Sequence, residues 1–120
     1  MGIPISKRLR KRSDFHQVRS KGLRVTSGPF ILQCHVMDEK FSDARRLGVI
    51  ASRRVGNAVK RNRGKRLVRE LFRANESALP FNCDLVVILR SSFDRYTFDE
   101  LKIKYLRACM EICRKTINKR

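Results

Sequence analysis

The residues able to do chemistry in this 120-residue chain are mostly cations. Between Arg53 and Arg73 stand Arg53, Arg54, Lys60, Arg61, Arg63, Lys65, Arg66, Arg69 and Arg73, opposed by Glu70 alone. Residues 1–24 carry eight more, opposed by Asp14 alone. These two stretches hold most of a formal net charge of +18. A solvated helix face normally mixes signs, because like charges four residues apart repel by a few tenths of a kcal/mol. Lys65 and Arg69 form such a pair, as do Arg69 and Arg73. Two dense basic segments in one small domain therefore point to a polyanionic partner, nucleic acid first. Arginine is the preferred cation, and its planar fork of N–H donors matches phosphate oxygens. A helix starting after Asn57 adds unpaired backbone N–H groups and a positive dipole end, a further phosphate site. Asn62, among these cations, offers a donor and an acceptor to a sugar, a base or a hydrated metal ion. Phe15, His16 and Phe30 are candidates for stacking on unpaired bases, against the commoner role of core filling.

Catalysis by the protein itself finds no support in the sequence. Side-chain hydrolysis needs an acid and a base, or clustered carboxylates for metals. His16 and His35 are isolated, and Asp99-Glu100 reads as a helix start whose negative charge complements the dipole. Four thiols, Cys34, Cys83, Cys109 and Cys113, lie mostly in apolar patterns. Cys109 and Cys113 share a helix face but lack two further ligands, so buried reduced thiols in a cytoplasmic setting are expected. No apolar run approaches the ~18 residues of a membrane span, and Met1 to Ser6 is short for a secretory signal.

The elements that must position these residues follow from periodicity. With 42% hydrophobic residues, seven of them Phe, the chain folds, as one domain over residues 1–120. Residues 1–12 read as a basic arm, flexible or ordered by RNA. Ser13 is a plausible cap for a short helix carrying Phe15 and Val18 and ending near Gly22. Strands are expected over Pro29 to Met37 and Arg46 to Ser52, with a polar turn over Asp38 to Asp43 between them. Ala58 to Arg73 is helical, capped by Asn57, with Leu67, Val68, Leu71 and Phe72 on one side and Asn62, Lys65, Arg66, Arg69 and Arg73 opposite. Gly64 falls within the apolar arc, where it costs roughly 1 kcal/mol relative to Ala and implies close packing against a strand. Cys83 to Arg90 is a nearly continuous apolar strand, covered on both flanks. Thr97-Phe98-Asp99-Glu100 is a capping box opening a helix to about Ile117. The sum is an α+β fold, an α/β sandwich of about four strands and three helices.

Arg53 to Glu70 reads RRVGNAVKRNRGKRLVRE. The pattern GNAVxRNRxKRLxRE within it resembles the protein subunit of bacterial ribonuclease P. The likeness covers about residues 7 to 117, and Ser13-Asp14-Phe15, Gly48 to Ser52 and Asp84 to Val87 agree with it. The resemblance implies a fold like the second domain of ribosomal protein S5, with a left-handed βαβ crossover around the motif helix. It also implies binding of a catalytic RNA subunit, one protein per RNA, and of the 5′ leader of precursor tRNA. The RNA, with Mg²⁺, would perform the hydrolysis that frees the mature tRNA 5′ end. Arg53, Arg54, Asn57, Lys60, Arg61, Asn62, Arg63, Lys65, Arg66 and Arg69 would face the catalytic RNA, with a Mg²⁺ contact near Asn62 and no metal site of the protein's own. Phe15, His16, Arg19 and Phe30 would line a cleft for the leader, between the first helix and the sheet. Arg19 stands where many relatives have an aromatic residue, making that contact electrostatic, and Gly64 where an apolar residue is common. A ribosomal or RNA-chaperone protein shares the charge but does not need the long motif. A DNA regulator would need a helix-turn-helix partner where strands flank the Arg-rich helix. Neither DNA nor membrane is an expected partner.

Overall fold

A computed structural model describes residues 3–37 and 44–118; the turn expected over Asp38 to Asp43 lies outside the described residues. Four strands, β1 (Leu23–Ser27), β2 (Phe30–Val36), β3 (Arg45–Ile50) and β4 (Cys83–Leu89), form one sheet in the order β1-β2-β4-β3. β4 is antiparallel to β2 and parallel to β3. A parallel pair cannot be closed by a tight turn, and α2 (Ala58–Ala74) makes the connection from β3 to β4. α1 (Arg12–Lys21) precedes the sheet and α3 (Phe98–Asn118) follows it.

Strand alternation divides the sheet into two unlike faces. On one, Phe30, Leu32 and Cys34 of β2, Leu47 of β3 and Leu85, Val87 and Leu89 of β4 join the main core. Val68, Leu71 and Phe72 of α2 and Leu101, Tyr105, Ala108, Cys109 and Ile112 of α3 complete that core. The other face is built from registered rows. Arg24, Gln33, Val86 and Gly48 are neighbours across the four strands, and Thr26, Ile31, Ile88 and Ile50 form the next row. Among the described residues, only α1 and the preceding segment cover this face, through Val18, Phe15 and Leu9 packed on Val86.

Local chemistry explains the element ends. The Asn57 side chain accepts the Lys60 backbone N–H at 2.9 Å, starting α2. Thr97 and Glu100 cap α3 reciprocally, with the Thr97 N–H donating to Glu100 Oε1 at 2.8 Å and the Glu100 N–H to Thr97 Oγ1 at 3.2 Å. Gly64 is buried, and a Cβ there would lie 2.2 Å from Leu89 Cδ2, so α2 does approach β4 closely at this residue.

One expectation needs correction, and two features are located by the structure. α1 begins at Arg12 with Lys11 at the cap position, and no side chain caps it; Ser13 sits inside the first turn beside Asp14, whose charge favours that end. The fourth strand, β1, is the segment Leu23–Ser27, joined to β2 by a turn at Gly28-Pro29. The segment read as a flexible or RNA-ordered arm lies along the sheet from Ile3 to α1. β3 is an edge strand with free backbone groups: Arg8 bridges to Leu47 and the Leu9 N–H donates to Leu47 O at 2.9 Å. Ile3 and Leu9 are buried there.

Cys34, Cys83 and Cys109 are buried together with Tyr105 in the main core. Hydrogen bonding with Cys83, then burial, raises the Cys34 pKa well above its ordinary value. Burial pushes the Cys109 thiol up from 9.0 to about 12. An unfolded Cys109 ionises near 9 whereas the folded one stays protonated, so this group favours folding below pH 9 and ceases to as pH rises through 12. The melting temperature should therefore fall between pH 9 and pH 11, and fall less in Cys109→Ala measured over the same range. An equal fall in both proteins would contradict this origin.

Candidate RNA interface

The motif helix α2 offers its cations in three different settings. Gly56, at φ 150°, holds a backbone conformation that side-chain-bearing residues rarely adopt, and turns the chain so that Asn57 can cap. Just before it, Arg53 and Arg54 project into solvent from a single turn anchored by buried Val55. Along α2, Asn62, Arg63 and Arg66 are exposed and Lys65 and Arg69 half-buried, so these residues with Arg73 make a basic outward surface.

Lys60 and Arg61 are placed differently from the expectation that they face RNA freely. Lys60 lies on the side of α2 turned to the Ser91–Arg95 turn, where Nζ is 3.0 Å from Asp94 Oδ2 and 5.6 Å from the Phe93 ring centre. The hydrogen bond from Lys60 lowers the Asp94 pKa. Arg63 also reaches over the Phe93 ring, 5.9 Å from its centre, from an otherwise exposed position. Arg61 stands two turns before Val68, on the inward side of the helix. Its Nε is buried without a hydrogen-bond partner among the described residues. That leaves a desolvated donor beside the exposed face.

The second surface is a cleft of about 660 Å³ on the opposite face of the sheet. Its wall is α1, which contributes Arg12, Ser13, Phe15, His16 and Arg19; its floor is Gln33, Ile50, Val86 and Ile88. Arg19 Nη2 donates to His16 Nδ1 at 3.4 Å, so the two rim side chains lie together. The Phe15 ring rests on Gly48, where a Cβ would stand 2.5 Å from Phe15 Cε1. Phe15 is thus half-buried, with the rest of its ring on the cleft.

Phe30 does not belong to this cleft. It is 0% exposed and meets the Tyr105 ring edge-on at 6.3 Å, on the α3 side of the sheet. Alternation along β2 puts it on the face opposite Gln33, which excludes stacking on a base. The sequence reading missed Arg12, Ser13, Gln33, Ile50, Val86 and Ile88 as cleft residues; a polar Gln33 inside an apolar strand was the one available signal.

An ion-pair network fixes the cleft wall. Arg46 donates from Nε and Nη2 to the two Asp84 carboxylate oxygens, each at 2.8 Å, and Asp14 Oδ1 of α1 is 3.8 Å from Arg46 Nη2. Asp84 is buried, and its hydrogen bonding raises the Arg46 pKa. Among the described residues, no group of three or more His, Cys, Asp or Glu side chains is arranged to hold a metal ion. No helix among them is long and apolar enough to cross a membrane.

Two substitutions test this construction. Gly48→Ala should lower stability by about 1–3 kcal/mol in urea unfolding, because Phe15 and Leu9 crowd the site from two sides. Asp84→Asn should cost about 2–3 kcal/mol, below the range for fully buried pairs because Arg46 keeps part of its surface in water.

Comparison with known proteins assigns the family. The ribonuclease P family model matches residues 3–113. The ribonuclease P protein component of Shouchella clausii is 41% identical over 95 residues, 79% of this chain and 76% of that one. That of Syntrophus aciditrophicus is 36% identical over 107 residues, 89% of this chain and 82% of that one. The solved structure of the Thermotoga maritima ribonuclease P protein superposes with TM-score 0.76 at 34% identity, covering 88% of this chain and 96% of that chain. A Staphylococcus aureus ribonuclease P protein structure gives 0.73 at 30% identity, covering 85% and 91%. The chain belongs to the ribonuclease P protein family, the protein components of the ribonucleoprotein endoribonuclease that matures tRNA 5′ ends.

Proposed function

We propose that the outward face of α2 binds the catalytic RNA while the cleft beside α1 takes the single-stranded 5′ leader of precursor tRNA. The observation that carries this reading is that the sheet separates the two surfaces: α2 packs on one face and α1 on the other. Two RNAs can then be held at once by one small protein, in the cytoplasm, one protein per catalytic RNA. Arg53, Arg54, Arg63, Lys65, Arg66 and Arg69 would contact phosphates of the catalytic RNA. Arg61 would donate its unpartnered Nε to an RNA acceptor brought against the helix. Arg12 and Arg19 at the cleft rim would hold leader phosphates, and Phe15 would meet a base.

The chain's contribution to the reaction is placement and charge. Two polyanions repel as they approach, and a +18 wedge between them screens that repulsion. Mg²⁺ supplies the hydrolytic chemistry from sites in the RNA. The residues present do not fit a protein-held ion, since Asn62 is exposed and no acidic cluster stands near it among the described residues. By lessening repulsion the protein would lower the Mg²⁺ concentration at which substrate binds.

The test is cleavage of a precursor tRNA by a bacterial ribonuclease P RNA at low Mg²⁺, with and without the protein. Leader removal should appear only with it. About 6–10 phosphate contacts would make affinity fall by roughly 10³–10⁵ between 50 and 200 mM salt. Arg66→Ala with Arg69→Ala should weaken RNA binding and reduce the slope of log affinity against log salt by about two. RNA binding with no change in cleavage would instead favour a structural RNA-binding protein.

A further inference from the structure

α3 carries an apolar stripe that no described residue covers. Its inward side is Leu101, Tyr105, Ala108, Cys109 and Ile112, all buried. On the outward side Ile103, Met110 and Ile117 recur every seventh residue, 51%, 70% and 72% exposed. Partly buried Leu106 and Cys113 stand between them. This is the alternating spacing of a coiled-coil seam, about 21 Å long over two heptads. Toward its end the Cys113 thiol donates to Ala78 O at 3.4 Å. Beyond that contact Phe81, 67% exposed, lies under the Arg45 guanidinium. Contiguous exposed apolar surface marks a docking site. This one belongs neither to the outward side of α2 nor to the cleft.

We propose that this stripe docks an acidic amphipathic helix of another protein. The charges along its borders decide the occupant. Helical spacing puts Lys102 on one border of the seam and Arg107 and Arg114 on the other. Lys102 and Arg107 pair with no acidic side chain among the described residues. A second copy of the chain fits poorly. Parallel pairing sets Lys102 against the other copy's Arg107, and antiparallel pairing sets Arg107 against itself. Glu100 and Arg114, which would pair across an antiparallel seam, are already engaged with Thr97 and Glu111. Each copy also brings a formal charge of +18. RNA finds no row of donors on the seam, and Asp99, Glu100 and Glu111 of the same helix repel phosphates. A partner helix with glutamates beside its apolar side would neutralise Lys102 and Arg107 while its leucines cover Ile103, Leu106, Met110 and Ile117.

The test uses holoenzyme assembled with a bacterial ribonuclease P RNA, so that RNA covers the basic surfaces that would otherwise attract an acidic peptide. The probe is a fluorescent synthetic helix of about three heptads, with Leu at the seam positions and Glu at the flanking ones. Its control carries Gln in place of Glu. Anisotropy should show the Glu peptide binding about tenfold or more tightly than the Gln peptide. Met110→Glu, at an exposed position, should weaken the Glu peptide by about tenfold or more while precursor tRNA cleavage stays unchanged. Lys102→Glu with Arg107→Glu should abolish the preference for Glu over Gln and leave Gln-peptide binding as it was. Equal binding of the two peptides by the wild-type protein, or Glu-peptide binding that survives both variants, overturns the proposal. Sedimentation of the free protein in high salt, which screens its self-repulsion, should find a monomer. A dimer that Met110→Glu dissociates overturns the proposal in favour of a second copy. Flotation of the holoenzyme with phosphatidylglycerol vesicles, lost in Met110→Glu, overturns it in favour of a membrane surface.

Discussion

Coverage of β4 on both faces and both edges is the constraint that organises this molecule. Its seven residues are hydrogen-bonded to β2 on one edge and β3 on the other. The run Leu85-Val86-Val87-Ile88-Leu89 has no polar side to turn to water, so something apolar must lie above it and below it. Parallel pairing with β3 requires a long crossover, and α2 is that crossover. α2 and α3 close one face. α1 and the short segment before it are left for the other, and they do not cover a four-stranded sheet. The uncovered part, around Ile50 and Ile88, is the cleft floor.

That division also sorts the charge. Cations near the sheet are used within the fold: Arg46 holds buried Asp84, Lys60 holds Asp94, and Arg45 donates to the Leu79 and Pro80 carbonyls while stacking on Phe81 at 4.6 Å. Cations on the outer side of α2 have no acidic partner among the described residues. The net charge is therefore a poor count of RNA contacts, and the face of the helix is the better guide.

Much of this was legible in the sequence, and the failures have physical causes. Helical spacing carries direction, so the α2 wheel gave the buried side, the close approach at Gly64 and the outward Arg66 and Arg69. Capping chemistry is local, so Asn57 and the Thr97–Glu100 box could be read from neighbours alone. Strand alternation says that β2 has two faces but not which one a helix will cover, and Phe30 was placed on the wrong one. β1 is five residues long and weakly apolar, and its pairing with β2 is a tertiary fact. The family motif grouped Lys60 and Arg61 with the outer cations, although their positions on the wheel turn them inward. That Gln33 lies on the cleft floor is set by strand register, which no local pattern shows.

The central claim is that two RNAs meet opposite faces of one sheet, and proximity mapping tests it most directly. A photoreactive group would be attached at Arg66→Cys on α2, or at His16→Cys on α1, in a background with partly exposed Cys113 replaced; the other thiols are buried. In the holoenzyme with bound precursor tRNA, position 66 should crosslink to the catalytic RNA and position 16 to the leader. Crosslinking of both positions to the same RNA would contradict the account.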